Sequence, residues 1–137
     1  MPSSFNYGQG LGKVASYQAS ARPFLTSSLT VPVSSATPLI VSFNQVSRFV
    51  VVTNTLSTTD PSSPLRFGFS EAGVKGTINN NFAVLDNGES FEGEFRVVKV
   101  FLLSNTAAES SASVVAGLTN IPHGHLQANW SGSQGVG

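Results

Sequence analysis

The feature that most constrains the fold of this chain is a succession of short β-prone runs divided by turn residues. Between positions 21 and 121, runs rich in Val, Leu and Phe alternate with clusters of Gly, Pro, Asn, Asp and Ser, and no window has convincing helical periodicity. Short strands at regular spacing are typical of an antiparallel sandwich or barrel. Because 137 residues suffice for one buried core and leave little room for a second, we expect one all-β domain.

The runs predict seven strands, or eight if the longest of them divides. In chain order they are Phe24–Val33, Pro38–Phe43, Val46–Thr55, Leu65–Ser70, Phe82–Leu85, Ser90–Asn105 and Ser113–Ile121. Eight strands in two facing sheets form a jelly roll. The predicted fold is therefore an antiparallel β-sandwich, a single jelly roll of about eight strands over residues 22–121. A flexible N-terminal arm over 1–21 and a flexible C-terminal tail over 122–137 flank it.

The longest run is the ambiguous one. Phe91 and Phe95 fall on one face, whereas the other face begins with Glu92 and Glu94 and then becomes apolar. A bulge or bend near positions 96–98 would explain the change, and so would two consecutive strands. The aromatic residues that the strand phases place in the core are Phe67, Phe69, Phe91, Phe95 and Phe101.

Local patterns also predict how the strands are connected and covered. Asn44-Gln45 is a candidate tight hairpin, and Asp86–Glu89 contains an Asn-Gly pair, which favours positive φ at both central turn positions. Residues 71–80 are predicted to be a loop with permissive glycines. The uninterrupted apolar run Phe49–Val52 indicates a strand that is covered on both faces.

The chain is unusually poor in charge. Charged residues form 10% of it, against about 25% in an average globular protein, and seven basic residues balance seven acidic ones. Low charge removes the repulsion that keeps proteins apart, so this surface suits packing against neighbours, although a Ser/Thr-rich secreted β domain can look the same. The Lys and Arg residues are scattered, whereas a nucleic-acid surface needs them clustered, so we predict no direct nucleic-acid partner.

Membrane insertion and thiol chemistry are not expected. No apolar run approaches the length of a bilayer span, and residues 1–12 lack the basic and apolar regions of a signal peptide. The chain has no cysteine, which excludes disulfides and thiolate metal sites.

Two clusters of titratable side chains are candidates for chemistry. His123 and His125 would point the same way on an extended segment, as some metal sites require, but no third ligand lies nearby in sequence. Glu92 and Glu94 would share a strand face about 7 Å apart, a spacing that suits an acid/base pair. The stronger interpretation is that these two charges lie on an edge strand, where they prevent it from pairing with another chain. We predict no catalytic, metal or cofactor-binding residue, and no enzymatic activity.

Two short motifs lack the surroundings that their usual function requires. Gly8–Gly12 resembles a fragment of a phosphate loop but follows no strand, opens no helix and lacks the Lys. Asn129-Trp130-Ser131 matches the N-glycosylation pattern, which we interpret as a chance match.

The N-terminal arm carries Phe5, Tyr7 and Tyr17, which suggests that it docks either on its own domain or on a neighbour.

Four segments of the predicted β-sandwich resemble one family of viral proteins. They are Leu65–Val74, Asn80–Leu85, Gly88–Phe91 and Val115–Thr119. They are similar to the single jelly-roll capsid proteins of double-stranded DNA viruses, in particular to the penton proteins. Those proteins fill the five-fold vertices of icosahedral capsids that are built from double jelly-roll major capsid proteins. The resemblance implies a homopentamer in the virion, assembled in the host cell, with the major and minor capsid proteins as partners.

Two other functions stay open at this point. Lectin-type carbohydrate-binding modules also use β-sandwiches and stack sugars on aromatic residues, for which Trp130, Tyr7 and Tyr17 are the candidates. A virion decoration or minor capsid protein would share the physical features of a penton, and only its position in the particle would separate the two.

Overall fold

The computed structural model describes residues 21–137, which form two facing four-stranded antiparallel sheets. The strands are β1 (Arg22–Val31), β2 (Leu39–Ser42), β3 (Gln45–Asn54), β4 (Leu65–Gly68), β5 (Ala83–Leu85), β6 (Ser90–Gly93), β7 (Lys99–Ser104) and β8 (Ser110–Pro122). The helical segments are α1 (Glu71–Lys75) and a 3-10 helix (His123–Leu126). The predicted N-terminal arm, with its aromatic residues and glycine run, lies outside the described residues apart from Ala21.

The order of the strands defines a jelly roll. Sheet A has the order β1-β8-β3-β6 and sheet B the order β2-β7-β4-β5. The first strand pairs with the last, the second with the seventh, the third with the sixth and the fourth with the fifth. The chain thus doubles back once, between β4 and β5, and the resulting ladder wraps into two sheets. This topology confirms the predicted single jelly roll.

Only the β4–β5 connection stays within one sheet, and this overturns two predicted hairpins. Asn44 lies between β2 of sheet B and β3 of sheet A, so no hairpin forms there. Asp86–Glu89 does form a tight turn, in which the Glu89 N–H donates to the Asp86 carbonyl at 2.9 Å. It joins strands of different sheets, however, and only Gly88 of its central residues has a positive φ. The turn is confirmed and the hairpin is wrong.

The longest predicted strand divides into two, as one of its interpretations proposed. Its first part is β6 of sheet A and its second part is β7 of sheet B. The phase of inward-facing residues changes as the chain crosses between the sheets, because Phe91 packs toward the interior in β6 whereas Val100 and Leu102 do so in β7. The charged Glu92 therefore belongs to sheet A, whereas the apolar Val100 and Leu102 belong to sheet B.

The core lies between the two sheets and consists mainly of Val, Leu and Ala. Its fully buried members include Val31, Val50, Val52, Leu65, Val100, Leu102, Ala112, Val114 and Ala116. Burying one Val or Leu side chain contributes about 1.5–3 kcal/mol, which makes this cluster the main source of stability.

The predicted core aromatics occupy three different environments. Phe67 lies in the core, and Phe69 and Phe91 are partly buried against it. Phe101 is buried on the outer face of sheet B, in a separate cluster. Phe95 is 40% exposed, so its assignment to the core is wrong, because it lies in the crossing segment rather than in a strand.

The segment 71–80, which is predicted to be a loop, contains the helix α1. The Ser70 hydroxyl caps the helix by accepting from the Gly73 N–H at 2.9 Å, and Gly76 ends it in the left-handed conformation at φ 71°. Val74 packs against Phe101 and Leu103 on the outer face of sheet B. The helix α1 therefore covers the centre of the outer face of sheet B, over β4 and β7.

The C-terminal segment is packed against the sandwich, so the prediction of a flexible tail is wrong. Leu126 and Asn129 are buried, and Trp130 packs against the core. Near the end of the chain, the Ser70 hydroxyl donates to the Val136 carbonyl at 2.7 Å. Side-chain hydrogen bonds and a few apolar contacts hold a segment whose Gly/Ser-rich composition is typical of a loop.

Candidate functional site

The outer face of sheet A carries an apolar stripe. The strand register places Leu25, Val115, Val51 and Glu92 in one row across the sheet. Phe49 is paired with Gly117 in the adjacent row. Leu25 is 71% exposed, and Phe49, Val51 and Val115 are half-buried. Within residues 21–137 no helix covers this face, so the predicted cover on both sides of β3 is present only on the inner side.

A groove of about 470 Å³ follows the stripe and contains the carboxylates that were candidates for catalysis. It is lined by Ala21, Pro23, Arg48, Phe49, Glu92, Glu94, Val115, Ala116 and Gly117. Glu92 and Glu94 are exposed at the rim of this open groove. β6 is the edge strand of sheet A, which fits the interpretation of these charges as protection against pairing with another chain.

Two carboxylates shortly before Glu92 in the sequence, Asp86 and Glu89, have structural partners. The Ser62 hydroxyl donates to Asp86 Oδ1 at 2.9 Å, and Asp86 Oδ1 also accepts from the Asn87 N–H at 2.9 Å. Glu89 Oε1 accepts from the Asp86 N–H at 2.6 Å. Both side chains therefore stabilise the turn between β5 and β6.

The two histidines do not converge. They lie in the 3-10 helix rather than on an extended segment, and both are exposed. At three residues per turn, side chains two positions apart diverge by about 120°, so His123 and His125 do not point the same way. No group of three or more His, Asp or Glu side chains within residues 21–137 could hold a metal ion.

The glycosylation-like motif is a packing element. Asn129 is 2% exposed, accepts from the backbone N–H groups of Val98 and Lys99, and donates to the carbonyls of Phe69 and Lys99. Its side chain is therefore inaccessible in the folded domain, which agrees with a chance match. The neighbouring Trp130 donates its indole N–H to the Arg96 carbonyl.

An aromatic cleft opens beside β6. The Phe95 ring stacks on Phe91 at a centroid distance of 5.9 Å and meets Phe69 edge-on at 5.5 Å. Concavities of about 470 and 340 Å³ lie on either side of it. The Arg96 guanidinium lies 5.6 Å from the Trp130 ring centroid, which partly covers the aromatic residue that the sequence analysis selected as a sugar platform. Sequence reasoning missed Phe95 because it assigned that residue to the core.

A further concavity lies at another end of the sandwich, beside the 3-10 helix. It measures about 540 Å³ and is lined by Ser42, Phe43, Asn44, Val98, Lys99, His123 and Gln127. No carboxylate lines it, so it has no acid/base pair of the kind that glycosidases use.

Apolar side chains are exposed on both flanks of the sandwich. The first flank is formed by the edge strands β1 and β2 and exposes Ile40, which is 45% accessible. The second flank is formed by β5, β6 and the crossing segment, and it exposes Val84 at 44% together with Phe95. Ile40 pairs with Phe101, and Val84 lies in one row with Arg66 and Leu103, so both side chains project from the outer face of sheet B. The two flanks are therefore the opposite edges of that sheet, β2 and β5.

The edge strands are protected against backbone pairing. β1 contains Pro23 and an irregularity between Thr26 and Leu29, where Ser28 has a φ of 56°. The other edges, β2, β5 and β6, are only four, three and four residues long. Prolines, bulges and short edges prevent sheets from extending across molecules, so neighbours would meet these flanks through side chains.

The fold and its surface define a class, a single jelly-roll domain with exposed apolar side chains at both edges of sheet B. No helix in that range is both long enough and apolar enough to cross a bilayer. No family model, curated protein or solved structure matches the chain.

Proposed function

We propose that the protein is a structural subunit of an icosahedral viral capsid, the penton, which forms a homopentamer at the five-fold vertices. The observation that carries the proposal is the pair of unlike apolar flanks on a jelly-roll body. A closed ring is built from heterologous contacts, in which one surface of each subunit binds a different surface of the next. Ile40 on one side and Val84 with Phe95 on the other provide two such surfaces.

The small number of charged residues and the short edge strands support the same proposal. A surface with few charges loses little hydration energy when it is buried between subunits, and charged residues are depleted at interface cores. The short or interrupted edges oppose open-ended growth of the sheets from one subunit to the next. The resemblance of Leu65–Val74 and the other segments to penton proteins points to the vertex and to the major and minor capsid proteins as partners in the virion.

Native mass spectrometry of the purified full-length protein tests the oligomer. The expected result is a species of five chains, with few intermediates. Quantification of the chain in purified particles tests the position, because a penton is present at five copies per vertex, whereas a decoration or minor capsid protein has another ratio to the most abundant chain. A strictly monomeric protein that is absent from particles would reject the proposal.

A carbohydrate-binding module is the second candidate, and the exposed ring of Phe95 favours it. The concavity beside Phe95 also contains Glu94, Arg96 and Gln134, whose polar groups suit sugar hydroxyls. Glycan-array binding that is lost in Phe95→Ala, by a protein that stays monomeric, would favour this function over the capsid. Trp130→Ala should have a smaller direct effect, since Arg96 partly covers the indole.

A further inference from the structure

We propose that Asn87 is a site of spontaneous deamidation which the folded domain protects, and that the deamidated product no longer holds the loop over residues 57–63. Asn87 and Gly88 form the only Asn-Gly pair of the chain and lie in the turn between β5 and β6. The reaction needs water and no enzyme, so it is independent of the number of subunits in the assembly.

Deamidation begins as an attack of the backbone on the neighbouring side chain. The backbone nitrogen of Gly88 forms a bond to Cγ of Asn87, and the bond between Cγ and Nδ2 breaks. The proton of the Gly88 amide leaves with Nδ2 as ammonia, and a succinimide ring remains. Water then opens the ring at either of its carbonyls, which gives aspartate or isoaspartate at position 87. Because glycine has no side chain, nothing at Gly88 obstructs the attack.

The geometry of the turn requires this reactive pair. Gly88 has a φ of 81°, which other residues rarely adopt, and a Cβ atom there would lie 3.1 Å from Thr58 Cγ2. A larger residue at this position would therefore be strained and would press on the loop. The glycine that builds the turn is also the residue that leaves Asn87 open to attack.

The loop over residues 57–63 holds the side-chain amide of Asn87. Its Nδ2 donates to the carbonyls of Ser57 at 3.1 Å, Pro61 at 3.2 Å and Asp60 at 3.4 Å. Its Oδ1 accepts from the Ser63 N–H at 3.1 Å. The nitrogen that must depart is thus surrounded by three acceptors, and the side chain cannot be released for the reaction until the loop detaches.

The attacking nitrogen is held as well. The Gly88 N–H donates to the carbonyl of Asn54 at 3.0 Å, and Asn54 is fully buried. The Asn54 side chain donates to the carbonyls of Ser63 at 3.2 Å and Leu85 at 3.1 Å, which ties the loop to the end of β5. Both reacting groups are therefore occupied in the closed loop, and the reaction proceeds only from the small population in which the loop has opened.

The product cannot restore these contacts. An ionised carboxylate accepts hydrogen bonds but donates none, so at position 87 it would face three carbonyl oxygens without a proton to share. The carboxylates of Asp60, Asp86 and Glu89 belong to the same loop and turn, and they add repulsion. Isoaspartate also inserts an extra carbon into the backbone of the turn. Deamidation therefore releases the loop irreversibly.

Peptide mass spectrometry of the full-length protein, after incubation at neutral pH, tests the protection. Trypsin releases residues 76–96 as one peptide, in which Asn79, Asn80 and Asn81 are internal references for Asn87. Asn87 should react at least about 100-fold more slowly in the native protein than in urea, because the native loop is rarely open. In urea it should react before the three references. Equal rates for Asn87 in the two conditions would overturn the proposal.

Two proline variants distinguish opening of the loop from unfolding of the domain. Pro61→Gly raises the entropy of the open loop, so deamidation of native Asn87 should accelerate about two- to fivefold. Pro122→Gly is the matched control, since Pro122 is exposed and lies outside the loop, and it should leave the rate unchanged. Equal acceleration by both variants would mean that the reaction requires global unfolding, and the role of the loop would be wrong.

The Asn87→Asp variant imitates one product and tests the loss of the contacts. The backbone amide protons of Ser63 and Gly88 should exchange with solvent at least about tenfold faster in this variant, as measured by NMR. Asn120→Asp introduces the same change at an exposed position and should leave both protons unaffected. Unchanged exchange in Asn87→Asp would show that the product still holds the loop.

Discussion

The side-chain oxygen of Asn129 accepts a hydrogen bond from the backbone N–H of Val98 at 2.7 Å. The same amide donates to the Phe69 carbonyl at 2.7 Å. One buried side chain thus ties the segment after the last strand to the chain that enters β7 and to the chain that leaves β4. This contact explains why a Gly/Ser-rich C-terminal segment is packed on the domain.

Asn129→Ala should lower the free energy of unfolding by about 3 kcal/mol, because it leaves buried backbone donors and acceptors without partners. The left-handed backbone at Asn129, φ 50°, adds to the cost, since Ala adopts that conformation poorly. Urea denaturation at a fixed chain concentration measures the change. Asn120→Ala is the control, because Asn120 is exposed, and equal stabilities of the two variants would contradict the role of Asn129.

Gly73→Ala should release the end of the chain. A Cβ atom at this position would lie 2.2 Å from the Val136 carbonyl oxygen, so the C-terminal residues must move away. Digestion by a carboxypeptidase should accelerate severalfold in this variant. Gly124→Ala is the control, because a Cβ atom there meets nothing within 4 Å. Without the clash, Gly→Ala in a helix would stabilise the protein by about 1 kcal/mol, so a more stable variant with unchanged digestion would refute the contact.

Phe67→Ala and Phe95→Ala should differ, although the strand phases alone predict similar losses for both. Phe67 is buried between the sheets, so its truncation should cost about 3–5 kcal/mol through the cavity it leaves. Phe95 is largely held by aromatic contacts with Phe69 and Phe91, which are worth about 1 kcal/mol beyond the area they bury. Thermal unfolding of the two variants gives the comparison. Equal losses would mean that Phe95 lies in the interior.

The sequence predicted the strands well because alternation of apolar and polar residues is a local signal. Every second residue of a strand points to the same face. The alternating apolar residues therefore face the core, as Val50 and Val52 do in β3 and Leu65 and Phe67 do in β4. The pairing of strands was inferred only from their number. Adjacency in sequence wrongly suggested hairpins at Asn44 and Asp86, since a jelly roll pairs strands that are distant along the chain.

The features that the sequence did not predict, namely α1, the packed C-terminal segment and the exposed Phe95, leave no periodic pattern in the sequence. α1 spans five residues, too few to show a 3.6-residue repeat, and its only markers are the capping residues Ser70 and Gly76. The packing of the tail depends on Asn129, whose partners Val98 and Phe69 lie 31 and 60 positions away along the chain. Phe95 was placed inside because the crossing between sheets, where the strand phase is lost, leaves no mark in the sequence.

The ring interface of the proposed pentamer gives the last prediction, which depends on its two flanks being different surfaces. Ile40→Glu damages the first flank and Val84→Glu damages the second, and both side chains are exposed enough for the variants to fold. Each variant alone should be monomeric, because a buried and unpaired carboxylate opposes the one kind of contact that the ring uses.

A mixture of these two variants separates a head-to-tail ring from other arrangements. The intact second flank of Ile40→Glu can bind the intact first flank of Val84→Glu, so the mixture should form dimers that cannot grow further. Light scattering after size-exclusion chromatography measures the mass. The double variant Ile40→Glu/Val84→Glu should form no dimer with itself. If either single variant dimerised alone, like flanks would bind each other, and the head-to-tail ring would be wrong.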